Sequence, residues 1–174
     1  MYGIETVRAD SDTSVLDAAL AIYGTSFPPQ ERIEKDELLN GYPDKDTDFS
    51  AVTLNGEVVA MYYTVSDGTM VFLYYIAVKE RCRSRGIGSK VLDLIEGRHG
   101  LPIVLNIEET SEKAADHDVR NRRREFYLRN GFRDTGKILV DSQGVFNVLC
   151  KGAFDEDRYL EFLNSFGEED CSYR

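Results

Sequence analysis

Between positions 79 and 90 the chain sets five basic side chains, Lys79, Arg81, Arg83, Arg85 and Lys90, against Glu80 alone, in a protein whose formal net charge is −10. Gly86 and Gly88 fall inside the same stretch. The chemistry such a segment can do is anion binding. From Ile87 the apolar residues Ile87, Val91, Leu94 and Ile95 recur at helical spacing, so the glycines stand at a helix start, where unpaired N–H groups and the positive end of the dipole favour a phosphate. Glycine there lets a ligand reach the backbone where a Cβ would stand in its way. A solvated turn accounts for an isolated G-x-G. Here the charge, the glycines and the helix start coincide, directly after the apolar run at 71–78.

Two phosphate-binding patterns fit poorly. A P-loop needs G-x-x-x-x-G-K-[ST], whereas Gly86-Ile87-Gly88-Ser89-Lys90 has neither that spacing nor a hydroxyl after the lysine; a dinucleotide fingerprint needs glycine or alanine where Val91 stands. Arg83-Ser84-Arg85-Gly86-Ile87-Gly88 instead follows [Gln/Arg]-x-x-Gly-x-[Gly/Ala], five residues past the strand end Ile76-Ala77-Val78. In this it resembles the GNAT superfamily of acetyl-CoA-dependent N-acetyltransferases. A second segment, 121–132, is similar to that family's other signature and ends Phe126-Tyr127-Leu128-Arg129-Asn130-Gly131-Phe132.

The resemblance implies acetyl-CoA as cosubstrate, with Arg83, Ser84, Arg85, Gly86, Ile87, Gly88 and Ser89 around its pyrophosphate. The backbone of Ile76, Ala77 and Val78 would pair with pantetheine, and the N–H of Val78 or a neighbour would polarise the thioester carbonyl. Tyr127 takes the general-acid position, since a phenol near pKa 10 suits a departing thiolate. Phe27 and Glu31 would lie near the amine acceptor. An amine of pKa about 10.4 is neutral in about one part in a thousand at pH 7, so its proton needs a path. The glutamate that many relatives carry on the strand after the crossover helix is Asn106 here; Glu108, two residues on and on the same strand face, substitutes, with a water chain as the alternative. Asn121 lies six residues before Tyr127, where the family commonly has seven. These departures motivate a second reading, a non-catalytic acyl-CoA-binding regulatory module; a P-loop-type phosphate binder is a third.

Elements must position these groups. A first strand is expected at 3–8, and residues 14–24 put Leu16, Ala19, Leu20 and Tyr23 on one helical face. Pro28 and Pro29 interrupt, and a second helix is expected at 31–39, ending near Asn40-Gly41. Strands at 49–54, 57–65 and 71–78, joined by Asn55-Gly56 and Asp67-Gly68, make an antiparallel meander. The helix 86–98 then crosses to a strand at 102–108, parallel to the buried one; in the GNAT fold this pair splays to form the pantetheine slot. A polar loop spans 109–118, a helix 120–130 and a closing hairpin 137–140 with 145–150. Residues 155–166 place Tyr159, Phe162, Leu163 and Phe166 at helical spacing. The expected fold is α/β (α+β), a single GNAT-like domain over 1–152 with a mixed sheet flanked by helices, followed at 153–174 by an amphipathic helix and acidic tail.

At 174 residues, 42% of them hydrophobic, the chain can bury one substantial core. No apolar run reaches the roughly 20 residues of a membrane span and the first residues lack signal-peptide regions, so a cytoplasmic enzyme is expected, with no membrane partner. Cys82, Cys150 and Cys171 have no metal-ligand or disulfide spacing, and no metal site is indicated. The acidic balance argues against nucleic acid and favours a cationic acceptor, a small-molecule or peptide amine. The closing hairpin and terminal helix are the surfaces a homodimer would use.

Overall fold

The computed structural model describes residues 3–110, 113–166 and 170–174, and the chain divides into two compact units, Met1–Gly100 and Leu101–Arg174. Residues 111–112 of the expected polar loop and 167–169 of the acidic tail lie outside the described residues.

In the first unit, β1 (Ile4–Arg8), β2 (Asp46–Leu54), β3 (Glu57–Ser66) and β4 (Val71–Val78) form an antiparallel run in chain order. The β2–β3 turn uses Asn55 at φ 55° and Gly56 at φ 81°, as an Asn-Gly hairpin requires. β3 is buried from Val58 to Ser66 without a break, so both its faces are covered. Successive side chains on a strand point to opposite faces, and the neighbours of Tyr62 and Tyr63 show by what. The Tyr63 ring lies near that of Tyr75, which packs edge-on against Tyr23 of α1 (Thr13–Ser26). Tyr62 donates instead to buried Asp48, which takes Arg98 of α3 (Ile87–His99) at 3.1 Å. Thus α1 and α3 cover opposite faces.

Asp12 caps α1, accepting from the Ser14 N–H at 2.7 Å. The second helix is shorter than its spacing predicts. A 3-10 turn at Pro29–Glu31 precedes α2 (Lys35–Asn40), because the Phe27–Ile33 segment is held by Arg32, which donates to the Phe27 and Gly24 carbonyls, each at 2.6 Å. β3 and β4 change register between Tyr63 and Thr64, which face Tyr75 and Leu73, so Tyr74 is the extra residue of a β-bulge. It therefore lies against Tyr75, ring on ring at 4.7 Å.

The second unit orders its strands β5 (Ile103–Glu108), β7 (Gly144–Lys151), β6 (Arg133–Asp141) and β8 (Ser172–Tyr173), all antiparallel. The helix α4 (His117–Arg129) starts three residues before the expected helix at 120–130. α5 (Glu156–Asn164) is capped by Asp155 and buries Tyr159, Phe162 and Leu163. Beyond it the tail makes a strand the sequence does not announce, β8, whose Tyr173 and Ser172 face Leu139 and Val140 of β6.

Candidate active site

The antiparallel ladder fixes which way the end of β4 points. Ala77 faces Met61, and the Lys79 N–H donates to the Val59 carbonyl at 2.8 Å. Residues 77 and 79 therefore turn their backbone groups toward β3, and by alternation the N–H and C=O of Ile76 and Val78 point off the opposite edge. The Val78 carbonyl accepts from Arg83 Nε at 3.0 Å. That contact ties the following turn to the strand end.

The turn runs through a 3-10 helix at Glu80–Cys82, then Ser84 at φ 60°, then Gly86 at φ 75° and ψ 3°. Gly86 is the N-cap of α3, and no side chain caps the helix. Its carbonyl accepts the first helical bond, from the Lys90 N–H at 3.1 Å. The N–H groups of Ile87, Gly88 and Ser89 consequently have no intrahelical acceptor. A Cβ at Gly86 would meet no atom within 4 Å. The donor set, the open space above it and the arginines fit a pyrophosphate.

The excess charge read from the sequence is partly answered. Glu57 at the start of β3 pairs with Lys79 at 3.1 Å and with Arg81, and these contacts hold its carboxyl below the usual carboxylate range. Lys90 lies 3.9 Å from Asp93. Arg85 has no ion pair among the described residues, and with Arg83 it supplies the cationic side chains of the turn. Cys82 is buried within the turn.

Phe27 and Glu31 are brought to β4. The Phe27 ring packs 5.6 Å from Tyr23 and 4.8 Å from Tyr75. The Tyr75 hydroxyl donates to the Glu31 carbonyl at 2.6 Å and accepts from the Ile33 N–H at 3.2 Å, while Tyr23 donates to the Ile33 carbonyl at 3.1 Å. Glu31 thus engages β4 through its backbone. Sequence reasoning missed Tyr75 as the latch; the signal was a phenol inside an otherwise apolar strand, since a buried hydroxyl needs a partner.

In the second unit, Tyr127 lies on α4 with its ring edge-on to Phe126 at 5.2 Å and Phe132 at 5.4 Å. It is 7% exposed, and its hydroxyl bonds to no group among the described residues. Burial pushes the phenol up to about 12, against a small opposing pull from Arg123. Glu108 ends β5 and holds α4 by two ion pairs, Arg120 at 3.3 Å and Arg123 at 3.8 Å. Asn106 accepts from the Tyr159 hydroxyl at 2.9 Å and so anchors α5. Asn121 contacts His117 one turn earlier on its own helix, at 2.8 Å.

An acetyltransferase (GNAT) domain model matches residues 45–134. The fold is that of a putative GNAT-family acetyltransferase from Bacteroides thetaiotaomicron, at 17% identity and a TM-score of 0.73, covering 95% of this chain and 98% of that one. An aminoglycoside 6′-N-acetyltransferase from Enterococcus faecium is similar at 16% identity and a TM-score of 0.65, over 87% and 99% of the two chains. The ribosomal-protein-S18-alanine N-acetyltransferase of Escherichia coli is similar at 20% identity and 0.57, over 90% and 98%. No curated protein sequence matches significantly.

Proposed function

Starting from a chain that belongs to the GNAT family of acetyltransferases, we propose that this acyltransferase moves an acetyl group from acetyl-CoA to a primary amine by direct attack in a ternary complex. The observation that carries the proposal is the continuity of the β4 edge with the uncapped start of α3: the outward N–H groups of Ile76 and Val78 lead, through a turn tied by Arg83, to the N–H groups of Ile87, Gly88 and Ser89, which have no intrahelical acceptor. Pantetheine suits the first as an added strand, and pyrophosphate suits the second.

The chain's residues divide the reaction as follows. The Val78 N–H donates to the thioester oxygen as negative charge grows there. The amine lone pair forms the new C–N bond, the C–S bond breaks, and the products are the N-acetyl amine and the free thiol of CoA. The amine's proton leaves to Glu108, directly or through water. Tyr127 serves the sulfur. With its phenol at about 12 it stays protonated at neutral pH, and full transfer to a thiolate whose acid is near 8.5 is uphill by about 5 kcal/mol. The hydrogen bond therefore acts first; the proton follows as the C–S bond breaks and is replaced from solvent. Phe27 and Glu31 wall the acceptor. The setting we propose is the cytoplasm, consistent with free Cys82, Cys150 and Cys171.

The test is calorimetric titration of acetyl-CoA, alongside ATP with magnesium, into the wild type and a Gly86→Glu variant. Acetyl-CoA alone is expected to bind, and the variant to lose it. A screen of amines with the wild type and Tyr127→Phe follows. Failure of the folded wild type to bind acetyl-CoA refutes the proposal; binding with no turnover on any amine leaves an acyl-CoA-binding module.

A further inference from the structure

β3 carries a tyrosine whose hydroxyl closes no hydrogen bond among the described residues. Tyr63 is fully buried, with its ring edge-on to Phe49 at 6.4 Å and beside Tyr75 at 6.4 Å. Its hydroxyl closes no hydrogen bond, although the Thr47 hydroxyl lies near it. Buried phenols are normally paired, so this one has capacity for a ligand. A carboxylate stands in the same corner. Glu37 of α2 takes a hydrogen bond from the Tyr42 phenol, and its charge acts on Tyr23, Tyr42 and Tyr63. Among the described residues Glu37 has no ion-pair partner. The guanidinium of Arg32, which acts on Tyr23, donates instead to the Phe27 and Gly24 carbonyls.

A half-buried carboxylate with Tyr23, Tyr42 and Tyr63 about it is chemistry for an organic cation, held by charge, by phenol oxygens and by aromatic faces. Such a cation is not the reacting nitrogen. That nitrogen must be neutral when it attacks, and a carboxylate beside it would favour its charged form. The positive charge Glu37 holds therefore belongs to a second group on the acceptor.

We infer that the acceptor is an aliphatic diamine, one nitrogen at the Val78 end of β4 and the second ammonium bound by Glu37 with the hydroxyls of Tyr63 and Tyr42. The inference rests on the acetyltransferase reading. It also sets a length. Tyr75, paired opposite Tyr63, lies three residues from Val78, about 10 Å at about 3.3 Å per residue, so several methylenes must separate the two nitrogens.

The experiment titrates 1,2-diaminoethane through 1,8-diaminooctane, and monoamines of matched length, into the CoA-saturated protein by calorimetry, with acetylation rates measured in parallel. The longer diamines are expected to bind at least about tenfold more tightly than matched monoamines, the worth of one charge-assisted contact. Glu37→Gln is expected to remove that advantage. Tyr63→Phe deletes a hydroxyl that closes no hydrogen bond among the described residues, so it is expected to melt no lower than the wild type yet to weaken diamine binding severalfold. Equal affinity for diamines and monoamines, or an advantage that survives Glu37→Gln, overturns the inference, and acetyl-CoA binding with monoamine acetylation would then leave the acetyltransferase reading standing. Absence of acetyl-CoA binding overturns both.

Discussion

Two glycines bracket α3 and provide a controlled pair of substitutions. Gly86 precedes it at φ 75° and ψ 3°, and Gly100 follows it at φ 61° and ψ 21°, both left-handed. At neither position would an added Cβ meet an atom within 4 Å. Alanine at either site therefore meets one cost, the ~1–2 kcal/mol of placing an L side chain in the left-handed region, with no collision added. In a chain of this length 1 kcal/mol lowers Tm by about 2–4 °C, so each variant is expected to melt about 2–8 °C lower than the wild type. Ligand binding separates them. A methyl at position 86 enters the open space at the uncapped start of α3, and if it displaces a phosphate there, losing one hydrogen bond to that charged group costs about 1.5–3 kcal/mol, roughly ten- to a hundredfold in Kd. A methyl at position 100 is at the other end of the helix. Thermal melts and acetyl-CoA calorimetry, run well below both midpoints, should show equal destabilisation and an affinity loss in Gly86→Ala alone. Equal acetyl-CoA affinity in the two variants would refute the pyrophosphate cradle.

Tyr127→Phe is expected to lower kcat by about 10²–10⁴-fold with the acetyl-CoA Kd unchanged; an unaltered kcat removes Tyr127 from the chemistry. Because the proposed role needs the protonated phenol, and burial pushes that phenol up to about 12, wild-type kcat should show no loss from this group up to about pH 10.5, and an inflection near pH 9 that vanishes in Tyr127→Phe would contradict the assignment. Tyr75→Phe breaks the hydrogen bonds to Glu31 and Ile33, at about 1–2 kcal/mol in stability, and is expected to raise the amine KM severalfold while sparing the acetyl-CoA KM; a rise in both would place the latch elsewhere. His99 at the end of α3 has its pKa lowered, by burial first, against raising contributions from Asp48 and Asp46 and a lowering one from Arg98. Below about 6.5, the free value, the unfolded chain binds a proton that the folded one resists, so stability should fall as pH drops from 7 toward the folded pKa. His99→Gln should flatten that slope in denaturant titrations, and identical slopes would assign the pH dependence to other groups.

The parts legible in the sequence are those where one residue type answers one local demand. Asn55-Gly56 specifies its hairpin because two successive residues need positive φ. The turn at 79–90 is legible because charge, glycine and the change from strand to helix are all local. What was not legible depends on partners distant in the chain. Nothing in 31–39 announces that Arg32 and Tyr75 hold Phe27–Ile33 out of helical geometry. Asn106 reads as a missing catalytic glutamate until Tyr159, 53 residues on, donates to it. Glu108 reads as an isolated strand-end carboxylate until two arginines of α4 meet it. β8 was invisible because two residues of tail, Ser172 and Tyr173, gain strand geometry only from the edge of β6.

The site in the first unit depends on β3 more than on either helix it positions. Tyr62 and Tyr63 are consecutive, so their rings leave the strand on opposite faces. On one face Tyr62 and Ser50 bind Asp48, which is 2% exposed and pairs with Arg98. Three donors converging on one buried carboxylate fix the C-terminal end of α3. A helix is stiff over the 13 residues of α3, about 20 Å at 1.5 Å each, so fixing one end restricts where its uncapped start can lie. On the other face Tyr63 sits beside Tyr75, whose latch holds the Phe27–Ile33 segment. The proposed cofactor cradle and the proposed acceptor wall are thus referred to a single strand buried on both sides, and β4, between them, is bent by the bulge at Tyr74 just before its last four residues. The turn at Arg83 supplies charge, and the strand behind it supplies the geometry in which that charge can act.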